Sequence, residues 1–250
     1  MNTGVAVKVY ERSHAAGLID DMIRPGGLAL TDRMVRLAGL QPGDLVADVG
    51  CGPARSLEHL PKNHGLTAVG FDPSSTLLAA ARARSNALRL VRSRGEQLPL
   101  RNSSVDAVLT ECSMSLMPDP NITLAQISRV LKPGGHLLCS DIYARDTAGI
   151  DALRALPFES CVRGAMPEFE VRALIDRHGF ELVAWEDHSD TLRSFSAQLV
   201  WRGGSMRSFW CTGAGSSDPD AVEAAVASAK PGYYVMVARN RGETSRGGAR

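Results

Sequence analysis

The chain predicts an α/β fold built on a parallel sheet, and three observations carry that reading. Short apolar runs at 45–49, 66–71, 87–91, 105–110 and 136–141 alternate with helical patterns, the rhythm of successive βαβ units. The first run breaks into the turn Gly50-Cys51-Gly52-Pro53-Ala54, and the second ends on an acid, Asp72. At 250 residues the chain is long enough for one α/β domain with a sizeable core.

The elements follow in order. Residues 1–26 are mixed in character and end in Arg24-Pro25-Gly26-Gly27, a turn signal. Leu28, Leu30, Met34, Leu37 and Ala38 then recur at helical spacing, and Gly39 stops that helix. Residues 57–60 lie on the helix after the first strand, 76–84 form an alanine-rich helix, and 124–131 form a third. Lys132-Pro133-Gly134-Gly135 turns the chain into the fifth strand. A helix over 168–178 has Pro167 at its start and Gly179 at its end. Two final strands at 181–185 and 233–238 are separated by a helix at 192–201 and a Gly/Ser-rich stretch, 203–218, that is a candidate lid. With no internal repeat, the reading is a single domain over 1–240. Within it, 1–40 form N-terminal cap helices, 143–170 and 189–230 form further cap segments, and 241–250 are a flexible tail.

Composition narrows the class. Hydrophobic content of 44% and charged content of 22% are ordinary for a globular protein, and a net charge of +1 offers no pull toward nucleic acid or membrane. Five scattered cysteines argue against a disulfide framework, and no apolar run has the length of a membrane span. A cytoplasmic protein with a small-molecule partner is expected, its oligomeric state left open.

The glycine turn is the chemical signal. Gly50 and Gly52 let the backbone bend sharply and approach a ligand, and the next helix presents free amides and a positive dipole end. Asp72 sits where a ribose hydroxyl pair is held. A dinucleotide fingerprint needs a third glycine where this chain has Arg55. Asp48, ahead of Gly50, would repel a pyrophosphate but suits the ammonium of a methionine. A dinucleotide oxidoreductase is therefore the weaker reading.

These residues resemble the first motif of class I S-adenosylmethionine (SAM) methyltransferases. The resemblance runs over residues 10–239 and includes Gln97-Leu98-Pro99-Leu100, Val105-Asp106-Ala107-Val108 and Leu131-Lys132-Pro133-Gly134-Gly135. It implies a Rossmann-like three-layer α/β sandwich with a seven-stranded, mostly parallel sheet. The last strand of that sheet runs antiparallel between the fifth and sixth. It also implies SAM as cofactor, S-adenosylhomocysteine as product, and a cofactor site of Asp48, Gly50, Cys51, Gly52, Asp72, Pro73, Gly95, Glu96, Glu111 and Tyr10. One departure stands out. Arg94 occupies the place where an acid often meets the adenine amino group, leaving adenine to Glu96 or to backbone groups.

The acceptor is the harder question. Methyl transfer from a sulfonium is an in-line displacement, so acceptor groups gather at the carboxyl ends of the strands. There the chain places Glu111-Cys112-Ser113 and, in the connection beyond the fifth strand, Ser160-Cys161-Val162-Arg163-Gly164. Both surroundings resemble arsenite methyltransferases, and a thiolate pair suits trivalent arsenic. Against this, residues 1–50 contain no cysteine, where those enzymes carry more. Cys112 and Cys161 are thus the candidate acceptor ligands, Cys211 an outside third, and each can instead be a small buried hydrophobe.

Cys51 and Cys139 read as packing residues. Glu111 is a candidate base, or else a hydrogen-bond anchor, and His188 a second candidate base for an oxygen, nitrogen, sulfur or carbon acceptor. His14, His59, His64 and His178 read as surface or helix-end residues. No histidine and acid share metal-ligand spacing, so no metal is expected. A SAM-binding module without turnover remains the reading from another class.

Overall fold

The computed structural model describes Glu11 and residues 24–158, 160–203, 205–209 and 218–242. In chain order the elements are α1 (Gly27–Ala38), β1 (Leu45–Val49), α2 (Arg55–His64), β2 (Thr67–Asp72), α3 (Ser75–Arg84), β3 (Leu90–Arg92) and β4 (Val105–Glu111). There follow α4 (Pro120–Val130), β5 (Leu131–Ala144), α5 (Ile150–Arg154), β6 (Met166–Pro167) and α6 (Glu168–Arg177). The last are β7 (Phe180–Asp187), α7 (Ser189–Gly203), α8 (Met206–Phe209), α9 (Pro219–Ala229) and β8 (Pro231–Asn240).

The sheet order is β3-β2-β1-β4-β5-β8-β7, with the two-residue β6 pairing off this path onto β5. Strands β3, β2, β1, β4 and β5 run parallel, whereas β8 is antiparallel to both β5 and β7. The expected insertion of an antiparallel last strand is therefore present. Alternation along the strands sorts the core into two faces. Tyr233, Val235 and Val237 join α1, α5 and α9 on one side, and Tyr234, Met236 and Ala238 join α4 and α6 on the other. A smaller cluster of Cys51, Ala54, Leu57, Leu78 and Ala81 packs α2 against α3.

Local chemistry explains the element ends. Ser74 caps α3 by accepting from the Leu77 amide at 3.0 Å, and Asp119 caps α4 through the Asn121 and Ile122 amides. Asp218 caps α9 ahead of Pro219 at its first turn. Gly39, at φ 64, ends α1 in the left-handed conformation.

Three expectations needed revision. The third strand begins at Leu90 and not at 87, because residues before it stay in a turn. The fifth runs from Leu131 to Ala144, the Lys132–Gly135 segment being absorbed as an irregularity in its pairing with β4. Helices α5 and α9 lie in stretches read only as cap segments. Tyr10, His14, Glu159 and Cys211 lie outside the described residues, as do 243–250 and most of the 203–218 stretch.

The short helices α5 and α9 are held together by a close approach. A side-chain carbon at Gly149 would sit 2.2 Å from the Ala229 nitrogen and 2.4 Å from its Cα, both rigid backbone. Gly149→Ala should cost about 1–3 kcal/mol of stability, read as a lower urea midpoint at unchanged m-value.

Candidate functional site

The site lies at the carboxyl ends of β1, β2, β4 and β5. Gly50 (φ 81) and Gly52 (φ 50) both occupy the left-handed region, as does Ala54 (φ 63), the residue preceding α2. At Gly50 a second constraint applies, since an added Cβ would lie 2.4 Å from the Ser113 Cβ. Ser113 packs there because its hydroxyl donates to the Val49 carbonyl at 2.7 Å. At Gly52 an added Cβ would meet no atom within 4 Å, so there the positive φ alone favours glycine.

Asp72 faces this turn from β2. One carboxylate oxygen accepts from the Gly52 amide at 2.8 Å and the other from the Ser74 amide at 2.8 Å. Burial nevertheless raises its pKa, opposed by those two amides, with Glu11 adding a further upward push. Glu11 itself accepts from the Ser74 hydroxyl, so the N-terminal segment reaches this acid. Pro73 follows it half-buried, and its carbonyl accepts from Arg92 at 3.1 Å. Gly95 is buried against Met117 and Thr123, with Glu96 half-buried and Arg94 exposed beside it.

Asp48 is buried with only 3% exposure, and no described residue hydrogen-bonds its carboxylate. Burial pushes its pKa well above the ordinary carboxylate value, Glu111 adds to this, and Arg24 opposes it. A buried acid in this state is one that an incoming ammonium would stabilise.

Glu111 has a different environment. Its carboxylate accepts from Thr31 at 2.8 Å and from Ser56 at 2.7 Å, and it pairs with the Arg24 guanidinium at 3.0 Å. Arg24 also donates to both hydroxyls, at 2.9 and 3.0 Å. The anchor reading of Glu111 thus prevails over the base reading, since both of its oxygens are engaged. Arg24, read from sequence only as part of a turn, is the residue that sequence reasoning missed. Its buried Nε–H has no acceptor among the described residues.

The two candidate acceptor cysteines pack against one apolar cluster. Cys112 ends β4 in the left-handed conformation at φ 51, which turns it out of the strand. Its Sγ is 3.1 Å from the Tyr233 hydroxyl, which donates to Ser140 Oγ at 3.1 Å. Burial pushes the Cys112 thiol well up, and Asp141 and then Cys161 push it further. Cys112 and Cys161 are both partly buried against that cluster, which includes Tyr233. The turn carrying Cys161 docks by Gly164, where an added Cβ would lie 1.8 Å from the Ser115 carbonyl oxygen.

The remaining candidates sort plainly. Cys51 is buried against Gly70 and Leu57, and Cys139 is fully buried in β5, so both are packing residues. His188 pairs with Glu186 at 3.0 Å, and Arg33 clamps the same carboxylate, holding its pKa down to about 2. His188 is thereby fixed through Nε2 against Glu186. His59 and His64, expected to be unrelated surface groups, instead converge on Asp32.

The comparisons with known proteins agree with this geometry. Residues 47–139 match the Methyltransferase domain family model, Methyltransf_11. Methyltransferase GfsG of Streptomyces halstedii is 29% identical over 69% of this chain and 66% of its own length. An arsenite methyltransferase of Halobacterium salinarum is 30% identical over 58% of this chain and 39% of its own length. The match therefore spans less than two thirds of either relative.

A Haemonchus contortus phosphoethanolamine N-methyltransferase 2, solved with phosphomonomethylethanolamine and S-adenosylhomocysteine, superposes with a TM-score of 0.71. The identity is 15%, covering 93% of this chain and 56% of that one. Over residues 47–139 the chain matches the methyltransferase domain family, and its fold is that of the methyltransferase structure on which it superposes. Among the described residues, no helix is long and apolar enough to cross a membrane.

Two outcomes follow from the buried charges. Glu111→Ala leaves the Arg24 guanidinium without its counter-charge and should cost about 3–5 kcal/mol by chemical denaturation. Asp141 is fully buried, with its pKa raised by burial to about 6 despite bonds from Ser115 and Ile142. Because the folded value is the higher one, this group's contribution to stability is greatest below pH 3.8 and is lost as pH rises through about 6. The loss amounts to about 3 kcal/mol. Asp141→Asn should flatten that decline between pH 4 and 7 in pH-resolved urea titrations, whatever its offset.

Proposed function

We propose that the protein transfers a methyl group from SAM to a small soft acceptor, and that the acceptor is a trivalent arsenical held by Cys112 and Cys161. The observation that supports this reading is that Cys112, just past β4, and Cys161, in the connection after β5, pack against one apolar cluster near a cofactor-type glycine turn.

The residues at the turn fit the donor. Asp48 would take its ammonium, the Arg24 Nε–H its carboxylate, and Asp72, held by the Gly52 amide, the ribose hydroxyls. The bound donor supplies an electrophilic methyl carbon on a sulfonium. Tyr10, Glu96 and Pro73 are proposed to complete the cofactor pocket.

The acceptor chemistry follows from the thiols. Burial disfavours the thiolate at Cys112, so that thiol is protonated when empty. A soft trivalent centre displaces that proton as its bonds to sulfur form. The arsenic lone pair then forms the carbon–arsenic bond as the sulfonium–carbon bond breaks, leaving S-adenosylhomocysteine. The arsenic is formally oxidised, and cellular thiols supply the two electrons that return it to the trivalent state. No proton has to be removed from the nucleophile, which agrees with the engagement of Glu111 and His188 elsewhere. The Halobacterium relative, named an arsenite methyltransferase, supports the same acceptor class.

Two measurements test the reading. Asp72→Ala should weaken SAM binding in calorimetry at least about tenfold, a loss of about 1.4 kcal/mol. Unchanged affinity would remove the cofactor assignment. Cys112→Ser should abolish transfer of labelled methyl to arsenite and methylarsenite while SAM affinity stays within twofold. Normal turnover by that variant with a different metabolite would transfer the assignment to an oxygen, nitrogen, carbon or other sulfur acceptor.

A further inference from the structure

Away from the glycine turn, one cluster outside the proposed reaction has the chemistry of a metal site. Asp32 on α1 meets His59 and His64 on α2, with His59 Nε2 and His64 Nε2 at 2.5 and 2.6 Å from the same Asp32 oxygen. The three candidate ligand atoms all lie within 4.8 Å of one another, and no other such cluster occurs among the described residues. The groups are held in place as well as close. The imidazoles stand edge to face at 5.7 Å and retain only 14% and 19% side-chain exposure. Asn63 lies 2.8 Å from His59 Nδ1, on the side of the ring away from Asp32.

We infer that Asp32, His59 and His64 form a binding site for a divalent first-row transition metal such as Zn2+, which ties α1 to α2. Two imidazole nitrogens and one carboxylate oxygen are a donor set suited to such ions. Bonds of about 2.0–2.1 Å at tetrahedral angles put ligand atoms about 3.3 Å apart. The hydrogen-bonded contacts therefore open by less than an ångström as the ion replaces the shared protons. Asp32, at 28% side-chain exposure, is the most exposed of the three. Water completes the coordination. A metallated Nε2 leaves the proton of His59 on Nδ1, so Asn63 turns its amide oxygen toward it. The amide thereby becomes the outer partner that fixes the ring.

The placement gives the ion a consequence. Asp32 follows Thr31, and His59 lies one helical turn beyond Ser56. Thr31 and Ser56 are the two hydroxyls that hold Glu111. A metal at this site would therefore stiffen the two helices that enclose the Arg24–Glu111 pair.

The test uses the full chain, treated with chelator and then titrated with Zn2+ by calorimetry and with Co2+ by visible spectroscopy. One ion per chain is expected, with d–d bands and no thiolate charge-transfer band, together with a rise in the thermal midpoint. His59→Gln and His64→Gln should each weaken binding at least about tenfold, and Asn63→Asp, which supplies a stronger outer acceptor, should tighten it about tenfold. Far-UV circular dichroism without metal checks that each variant folds. If the histidine variants fold poorly, the wild-type cobalt spectrum and Asn63→Asp still decide. Absence of saturable binding, unchanged affinity in folded histidine variants, or a cobalt spectrum dominated by thiolate would each overturn the site.

Discussion

The carboxylate of Glu111 is the point on which the arrangement of this protein depends. It ends β4 at the top of the sheet, and its charge is balanced by Arg24, from the segment that leads into α1. Thr31 of α1 and Ser56 of α2 supply the remaining bonds. An ion pair this buried contributes little net stability, because removing both charges from water offsets most of their attraction. Its value is positional: four chain segments can satisfy their polar groups only when they meet in one geometry. Asp48, beside this pair, feels both members, which leaves it buried, electrically strained toward protonation and receptive to a cation.

The same arrangement separates the two halves of the proposed chemistry. On one side the turn of Gly50 and Gly52 presents backbone, with Asp72 already engaged by the amides that shape it. On the other, Cys112 and Cys161 sit over a bed of Tyr233, Ser140 and Asp141. Burial holds the Cys112 thiol in its neutral form until a soft ligand displaces the proton.

Much of this was legible in the residue order. The glycine turn, Asp48 and Asp72 were readable because a backbone that must enter the left-handed region and approach a ligand leaves few alternatives to glycine. The strands were readable from their apolar runs, whereas the antiparallel last strand between the fifth and sixth came only from the resemblance to class I methyltransferases. Arg24 was not legible, because a lone arginine before Pro25 looks like punctuation, and only the fold brings Glu111 to it across the chain. The histidine cluster was hidden for a related reason. His59 and His64 are five apart on a helix with Pro61 between them, outside the spacings that align side chains on one face. Their third partner comes from another helix. Helices α5 and α9 escaped notice because neither carries a long amphipathic pattern, and tight contact at Gly149 substitutes for it.

Strand β8 lies between β5 and β7 while following both in the chain. During synthesis, then, β7 emerges with no neighbour to pair with, and β5 exposes an open edge. The central hydrogen-bond ladder can close only when residues 231–240 have left the ribosome. Until that moment the nascent polypeptide carries unsatisfied borders on β5 and β7, so the β7 side of the sheet is the last part that can be completed.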